Sequence, residues 1–328
     1  MAQQVRIGMP VDVDGIDWHH VGSIHNQGQE YVERFWARDE ERGAGGCRAT
    51  KTRGAGLALG ALVSAFVGMA VYAEPGPEGL TQVLNAHRSR ERMRQALPDL
   101  NAATATEIQD FLLMNLAPDE GSPVGYLREM ASDGTPVSVV LLENLFTSSG
   151  ATLRAAQNAK QLVQLELLVR INSAQIDEAG TRSSVAAGIS EVVPAVVVRD
   201  QLLFSAQQGD AAALTAINAG VRYLVLGRPL SVPLWENTQY WHKPFGARLV
   251  GRDGQILSQG HSLAGGISPL EAVLEIKRML HQRGRSLRAG DLLGLGAIGS
   301  AVVLSGAGRL EADFDTPFGW GQVIFALH

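Results

Sequence analysis

Along residues 80–328 the apolar positions recur at two spacings, and the change from one to the other separates helices from strands. Thr104 and Glu107 have the order of a capping box, and Ile108, Phe111, Leu112 and Leu116 then share one face, which predicts a helix from Thr104. A polar, arginine-rich helix is predicted just before it, over 80–93. Strand-like runs follow at 137–142, 163–171, 192–198, 222–226 and 247–250. The last continues through Asp253-Gly254, a hairpin turn pair, into 255–257.

Between these strands, 183–189 and 209–217 read as short helices and 268–283 as a long one. Ser268 stands at its cap, Pro269 in its first turn and Glu271 three beyond the cap. Val273, Leu274, Ile276, Met279 and Leu280 supply its buried face, and Gly284 can end it. After Ala289-Gly290-Asp291, short strands alternate with glycine-rich turns up to Phe325. The pattern predicts an α+β fold, closer to a curled mixed sheet with flanking helices than to a doubly wound nucleotide fold.

Residues 54–73 break this pattern. They are apolar except for Ser64, follow Lys51 and Arg53, and end in Val71-Tyr72-Ala73 before Glu74-Pro75-Gly76. A basic flank, an apolar core and small residues at the end make a secretory signal, and the length is enough to span a bilayer. The expectation is an exported, periplasmic or membrane-anchored protein tethered through 54–73. The alternative is a buried Ala/Gly-rich helix of a cytoplasmic domain. Residues 1–53 read as a poorly organised extension, although Trp18, Phe35 and Trp36 leave room for a small packed element.

Composition narrows the partners. A net charge of -5 with 19% charged residues provides no basic surface for phosphate backbones, so nucleic acid is not expected. The lone cysteine, Cys47, lies upstream of 80–328, which leaves that stretch without a disulfide or a thiol nucleophile. Gly125, Gly227 and Gly296 sit at turns or strand ends with no phosphate-loop pattern, so no nucleotide is expected. Ser300 lacks the setting of a nucleophile elbow and reads as a turn residue.

The acidic residues carry more chemistry. Strand alternation puts Gln164 and Glu166 on one face, opposite Leu165 and Leu167. Asp200 ends a neighbouring strand and could meet Glu166; the plainer reading is a Glu166–Arg199 salt bridge on a solvated sheet face. Two carboxylates are few for a hard metal ion, with Asn218 or water left to complete six ligands. His261 and His242 titrate near neutrality and could move protons, but neither has a partner visible in sequence.

These pieces, in this order, resemble the 2-keto-4-pentenoate hydratase branch of the fumarylacetoacetate hydrolase superfamily. Thr104-Ala105-Thr106-Glu107-Ile108-Gln109 looks like the helix leading to its Gly-Tyr-Lys segment, here Gly125-Tyr126-Leu127. Gln164-Leu165-Glu166 falls at its Glu-x-Glu, Pro194-Ala195-Val196-Val197 at its Pro-Ala-x-Glu, and Asn218 at the Asn of its Asp-Asn-Ala-Ser. Tyr223-Leu224-Val225-Leu226-Gly227 matches the following strand. Leu287-Arg288-Ala289-Gly290-Asp291-Leu292-Leu293 with Gly296 matches its closing motif, the most specific of the set.

The resemblance implies a roll-like mixed sheet over 80–328. It also implies a Mg2+ or Mn2+ ion that holds a small 2-oxo acid while water adds to a conjugated dienoate. Glu166 would be metal ligand or base, with Asp200 and Gln164 as weaker metal candidates. Asn218 or His261 would orient substrate or water, and Gly125, Tyr126 and Gly296 would line the substrate. The departures lie at the critical positions: Gln164 and Val197 replace two metal-binding Glu residues, Leu127 replaces the lysine, and Ile217 replaces the Asp before Asn218. Two functions follow. One is a divergent hydratase acting on a small organic acid, and the other a catalytically silent binding or assembly protein on the same scaffold. The sequence leaves a homo-oligomer open.

Overall fold

The computed structural model describes residues 77–328 apart from 99, 157–158, 234–237, 263–266 and 305–307. These belong to the unit Ala70–His328. Five α-helices are described: α1 (Pro77–Ser89), α2 (Ala102–Glu120), α3 (Arg182–Ala187), α4 (Ala211–Ala216) and α5 (Pro269–His281). The first strands are β1 (Pro123–Met130), β2 (Pro136–Leu142), β3 (Phe146–Ser148), β4 (Thr152–Leu153), β5 (Gln161–Ile171), β6 (Ile189–Asp200) and β7 (Val221–Leu226). They are followed by β8 (Leu230–Ser231), β9 (Gly246–Val250), β10 (Ile256–His261), β11 (Leu292–Gly294), β12 (Ile298–Leu304), β13 (Gly308–Thr316) and β14 (Gly319–Leu327).

The fold is α+β, a curled mixed sheet with flanking helices, as the sequence predicts. A nine-stranded sheet runs β2-β1-β11-β5-β6-β7-β3, with β12 beside β5 and β8 beside β6. A second sheet of five strands runs β10-β9-β13-β14-β4. Glycines let the sheets approach. A Cβ on Gly260 of β10 would lie 2.5 Å from Gly299 N of β12, and one on Gly321 of β14 would lie 2.4 Å from Pro194 Cγ of β6. Any larger residue would force the backbones apart.

α5 begins as its cues predict: the Ser268 hydroxyl accepts the Glu271 N–H, the Glu271 carboxylate accepts the Ser268 N–H, and Pro269 occupies the first turn. It packs on β1 and β2 through a face that includes Val273, Ile276 and Leu280. α2 begins differently. Asn101, not Thr104, is its cap and accepts the Thr104 N–H at 3.0 Å. Thr104 is drawn inside instead, because α2 packs against α1 and α4 in a cluster with Val83, Ile108, Leu112 and Ala213.

Residues 1–53 and 54–73 lie outside the described residues. The membrane tether through 54–73, and the exported, periplasmic or anchored location drawn from it, are corrected here. Among the described residues no helix is long and apolar enough to cross a membrane. The longest of them, α2, carries Glu107, Gln109, Asp110 and Asn115 within its span and turns its apolar face to the protein interior. Spanning a bilayer takes about 20 mainly apolar residues.

Candidate functional site

The closing Ala289-Gly290-Asp291 motif folds as a turn that launches the site. Gly290 adopts φ +97° and its N–H bonds Ile171 O at 2.8 Å, while Asp291 accepts the Arg288 N–H at 2.8 Å. β11 is thereby wedged between β1, which it parallels, and β5. The fit is close: a Cβ on Gly125 would lie 2.1 Å from Leu292 O. That approach accounts for Gly125 through backbone packing.

The register carries Leu127 of β1, Gly294 of β11 and Leu168 of β5 across one face. On β5 and β6 the same face bears Glu166 opposite Ala195, Gln164 opposite Val197, and Leu162 opposite Arg199. Glu129, two residues beyond Leu127, joins it and forms an ion pair with Arg199. Around Leu127, Glu166 and Arg199 the face is buried, where the sequence suggested solvent, while Glu129, Leu162 and Gln164 are half-buried, and Arg199 pairs with Glu129 rather than Glu166. Glu166 is 0% exposed. Leu127, at the position where the resemblance expects a lysine, is also fully buried and fills the space over Gly294 beside Glu166.

Glu166 is consequently an unusual acid. Burial pushes its pKa up to about 8, opposed by the Gly296 N–H and the Arg199 charge. Its Oε1 accepts the Gly296 N–H at 2.6 Å, and its Oε2 has no partner. Gly296 reaches this position with φ +115°, a conformation that favours glycine.

A cavity of about 290 Å³ opens beside this face, lined among others by Arg128, Glu129, Gln164, Phe245, Ser268 and Gly296. Arg128 is paired with Glu275 of α5. Gln164 Oε1 has no partner, and the Nε and Nη2 of buried Arg199 have none either.

The remaining sequence candidates stand elsewhere or serve the fold. Asp200 faces away from Glu166, five strand positions along the same pairing, roughly 16 Å at about 3.3 Å per residue. It holds Arg90 through two bonds, of 2.8 and 3.0 Å, and Gln161 through a third of 3.1 Å. Asn218, at φ +48°, accepts from Val140 N and Gln109 Nε2 and donates to Val140 O, which fastens its turn to β2. Tyr126 points to the opposite face of β1, where burial pushes its pKa up to about 12. His261 is exposed at the end of β10, and its neighbour Ser262 lines the cavity. The structure thus brings together Glu166, Gln164 and Gly296.

Glu129, Arg128 and Arg199 are the site residues that sequence reasoning missed as a group. Alternation along 123–130 would have placed Glu129 on the face of Leu127, had that stretch been read as a strand.

The donor set does not fit the divalent ion that the resemblance implies. Among the described residues no group of three or more His, Cys, Asp or Glu side chains could hold a metal. On this face the unpartnered oxygens are Glu166 Oε2 and Gln164 Oε1. Glu129 is committed to Arg199, Val197 offers no ligand, and a buried guanidinium stands where a dication would be repelled.

No family model matches the chain, and no curated protein matches it. Solved structures do. A 4-oxalocrotonate decarboxylase from Pseudomonas putida G7, complexed with calcium and acetate, aligns with a TM-score of 0.63 at 18% identity, covering 76% of this chain and 96% of that one. The same enzyme complexed with magnesium and adipate aligns with identical values. A fumarylacetoacetate hydrolase family protein of yeast aligns with a TM-score of 0.44 at 11% identity, covering 62% of this chain and 92% of that one. At 18% identity the likeness to the decarboxylase is one of fold, a curled mixed sheet with flanking helices.

Proposed function

We propose that this chain binds a small organic acid on a hydratase-like scaffold and does not carry out the metal-dependent hydration. The observation that supports this reading is the content of the buried face. Where a hard ion would need clustered carboxylates, it carries Gln164, Val197, a Glu129–Arg199 ion pair and a Glu166 whose pKa lies near 8. At neutral pH that acid is mostly protonated, so the face is close to charge balance and repels a carboxylate less than a metal-free acidic cluster would.

The cavity suits the ligand class. Its volume of about 290 Å³ accommodates a molecule of a few carbon atoms; Arg128, Gln164, Ser262 and Ser268 supply polar contacts beside the ion-paired Glu129, and the apolar part of the wall includes Leu167, Phe245 and Leu295. The structurally similar decarboxylase complexes contain acetate and adipate, which makes both acids practical probes here.

Lyase chemistry with Glu166 as proton donor is the second reading, favoured by the raised pKa and the unpartnered Oε2. It is weaker because Glu166 exposes no surface to the cavity side and is flanked there by Gln164 and Gly296.

Two measurements on the full chain separate these readings. The proposal expects calorimetric binding of adipate and no loss of ultraviolet absorbance from a 2-hydroxydienoate. Turnover of the dienoate that Glu166→Gln abolishes would establish the lyase instead.

A further inference from the structure

We propose that Arg199 is the residue that takes the carboxylate of the bound acid, through the Nε–Nη2 edge of its guanidinium and without a divalent cation. This rests on the acid-binding reading and specifies the recognising group and the ligand class.

The donors are already divided between an occupied and an open edge. Arg199 Nη1 goes to Glu129, while Nε and Nη2 are buried and have no partner. An unpaired buried donor is costly, and two on one guanidinium are rare unless something else satisfies them. The Nε and Nη2 hydrogens point the same way, and this edge matches the two oxygens of a carboxylate in a bidentate fork. The next residue in the chain illustrates the geometry: Asp200 receives that same edge from Arg90, with Nε to Oδ2 at 2.8 Å and Nη2 to Oδ1 at 3.0 Å.

Position supports the assignment. Arg199 is 5% exposed and lies behind the cavity wall, not in it: Gln164 is its diagonal neighbour on the same sheet face, and Gln164 and its ion-pair partner Glu129 both line the cavity. Gln164 is partly exposed and its Oε1 is unpartnered, so the side chain can turn aside and let a carboxylate through to the arginine. Glu129 holds the guanidinium in place while the ligand enters on the other edge. A fixed cation held by an anion thus stands in for a dication held by several.

Calorimetric titration of the full chain with adipate in the presence of EDTA tests this, with melting temperatures as a check on folding. Wild type is expected to bind, and adipamide, which has the same length without charge, is not. Arg199→Lys keeps the charge but loses the fork, and should weaken binding by about tenfold to hundredfold, the range for hydrogen bonds to a charged group. The Glu129→Gln/Arg199→Met pair removes the ion pair without stranding an anion, and should abolish binding. Wild-type affinity in both variants would overturn the role of Arg199 and leave the acid-binding reading standing. Equal binding of adipamide would overturn the carboxylate class, and binding only when magnesium is added would overturn metal independence. Absence of adipate and acetate binding by wild type would remove the acid-binding reading itself.

Discussion

Gly296 donates its backbone N–H to Glu166 Oε1 at 2.6 Å. This bond ties the loop after β11 to a carboxyl with no solvent exposure, and Oε2 of the same group is left without a partner. One neutral donor does not offset the cost of burying an anion, so the acid holds its proton.

Stability should therefore depend on pH through Glu166. Burial raises its folded-state pKa from 4.5 to about 8. Between those values the folded chain holds a proton that the unfolded chain releases, so stability falls as pH rises through this window and levels off above it. Glu166→Gln keeps the shape, cannot titrate, and should remove this slope. At pH 9 the variant should be the more stable chain by on the order of a few kcal/mol. Melting temperatures at pH 5, 7 and 9 check this; an unchanged slope in the variant would assign the effect to another group.

Asn218 should matter for stability and not for ligand. Its amide satisfies both backbone groups of Val140 and one donor of Gln109, all buried, at a positive φ that asparagine tolerates better than alanine. Asn218→Ala should cost about 3 kcal/mol in denaturant unfolding. A folded variant should bind adipate as wild type does; a loss of affinity beyond its loss of stability would return Asn218 to the site.

Asp200 should behave likewise. It is 4% exposed and takes the fork of Arg90, so Asp200→Ala leaves a largely buried cation unpaired. The expected loss is about 3 kcal/mol or more. Adipate binding by the folded fraction should be unchanged, and a selective loss of binding would contradict the placement of Asp200 away from the Glu166 face.

The helix and strand order was legible because the signals were local. Ser268, Pro269 and Glu271 cap α5 with atoms a few residues apart, and Asp253-Gly254 forms its turn with Gly254 at φ +81°. Thr104 misled because the capping-box order is purely local, whereas packing of α2 against α1 and α4 draws Thr104 inside and leaves the cap to Asn101. The site was half legible. Alternation put Gln164 and Glu166 on one face, but burial of that face depends on Leu127, Gly294 and the neighbouring strands, which no local pattern reveals. The Glu129–Arg199 pair spans 70 residues of chain and depends on β11 inserting beside β1. Asp200 and Glu166 looked like partners on adjacent strands, and only the register sets them on opposite faces.

His261 provides a further check. It is exposed at the end of β10. His261→Ala should shift stability by less than about 0.5 kcal/mol, the usual range for surface substitutions. Adipate affinity should also stay as in wild type; a clear loss would bring the histidine back into the site beside Ser262.

Calorimetric titration of the full chain with manganese at neutral pH decides whether the Glu166 face holds a hard metal ion. No saturable binding is expected, because a buried guanidinium, an amide and a protonated acid occupy the face where a hard ion would need carboxylates. Micromolar manganese binding that Glu166→Gln removes would contradict this and restore a metal-dependent site.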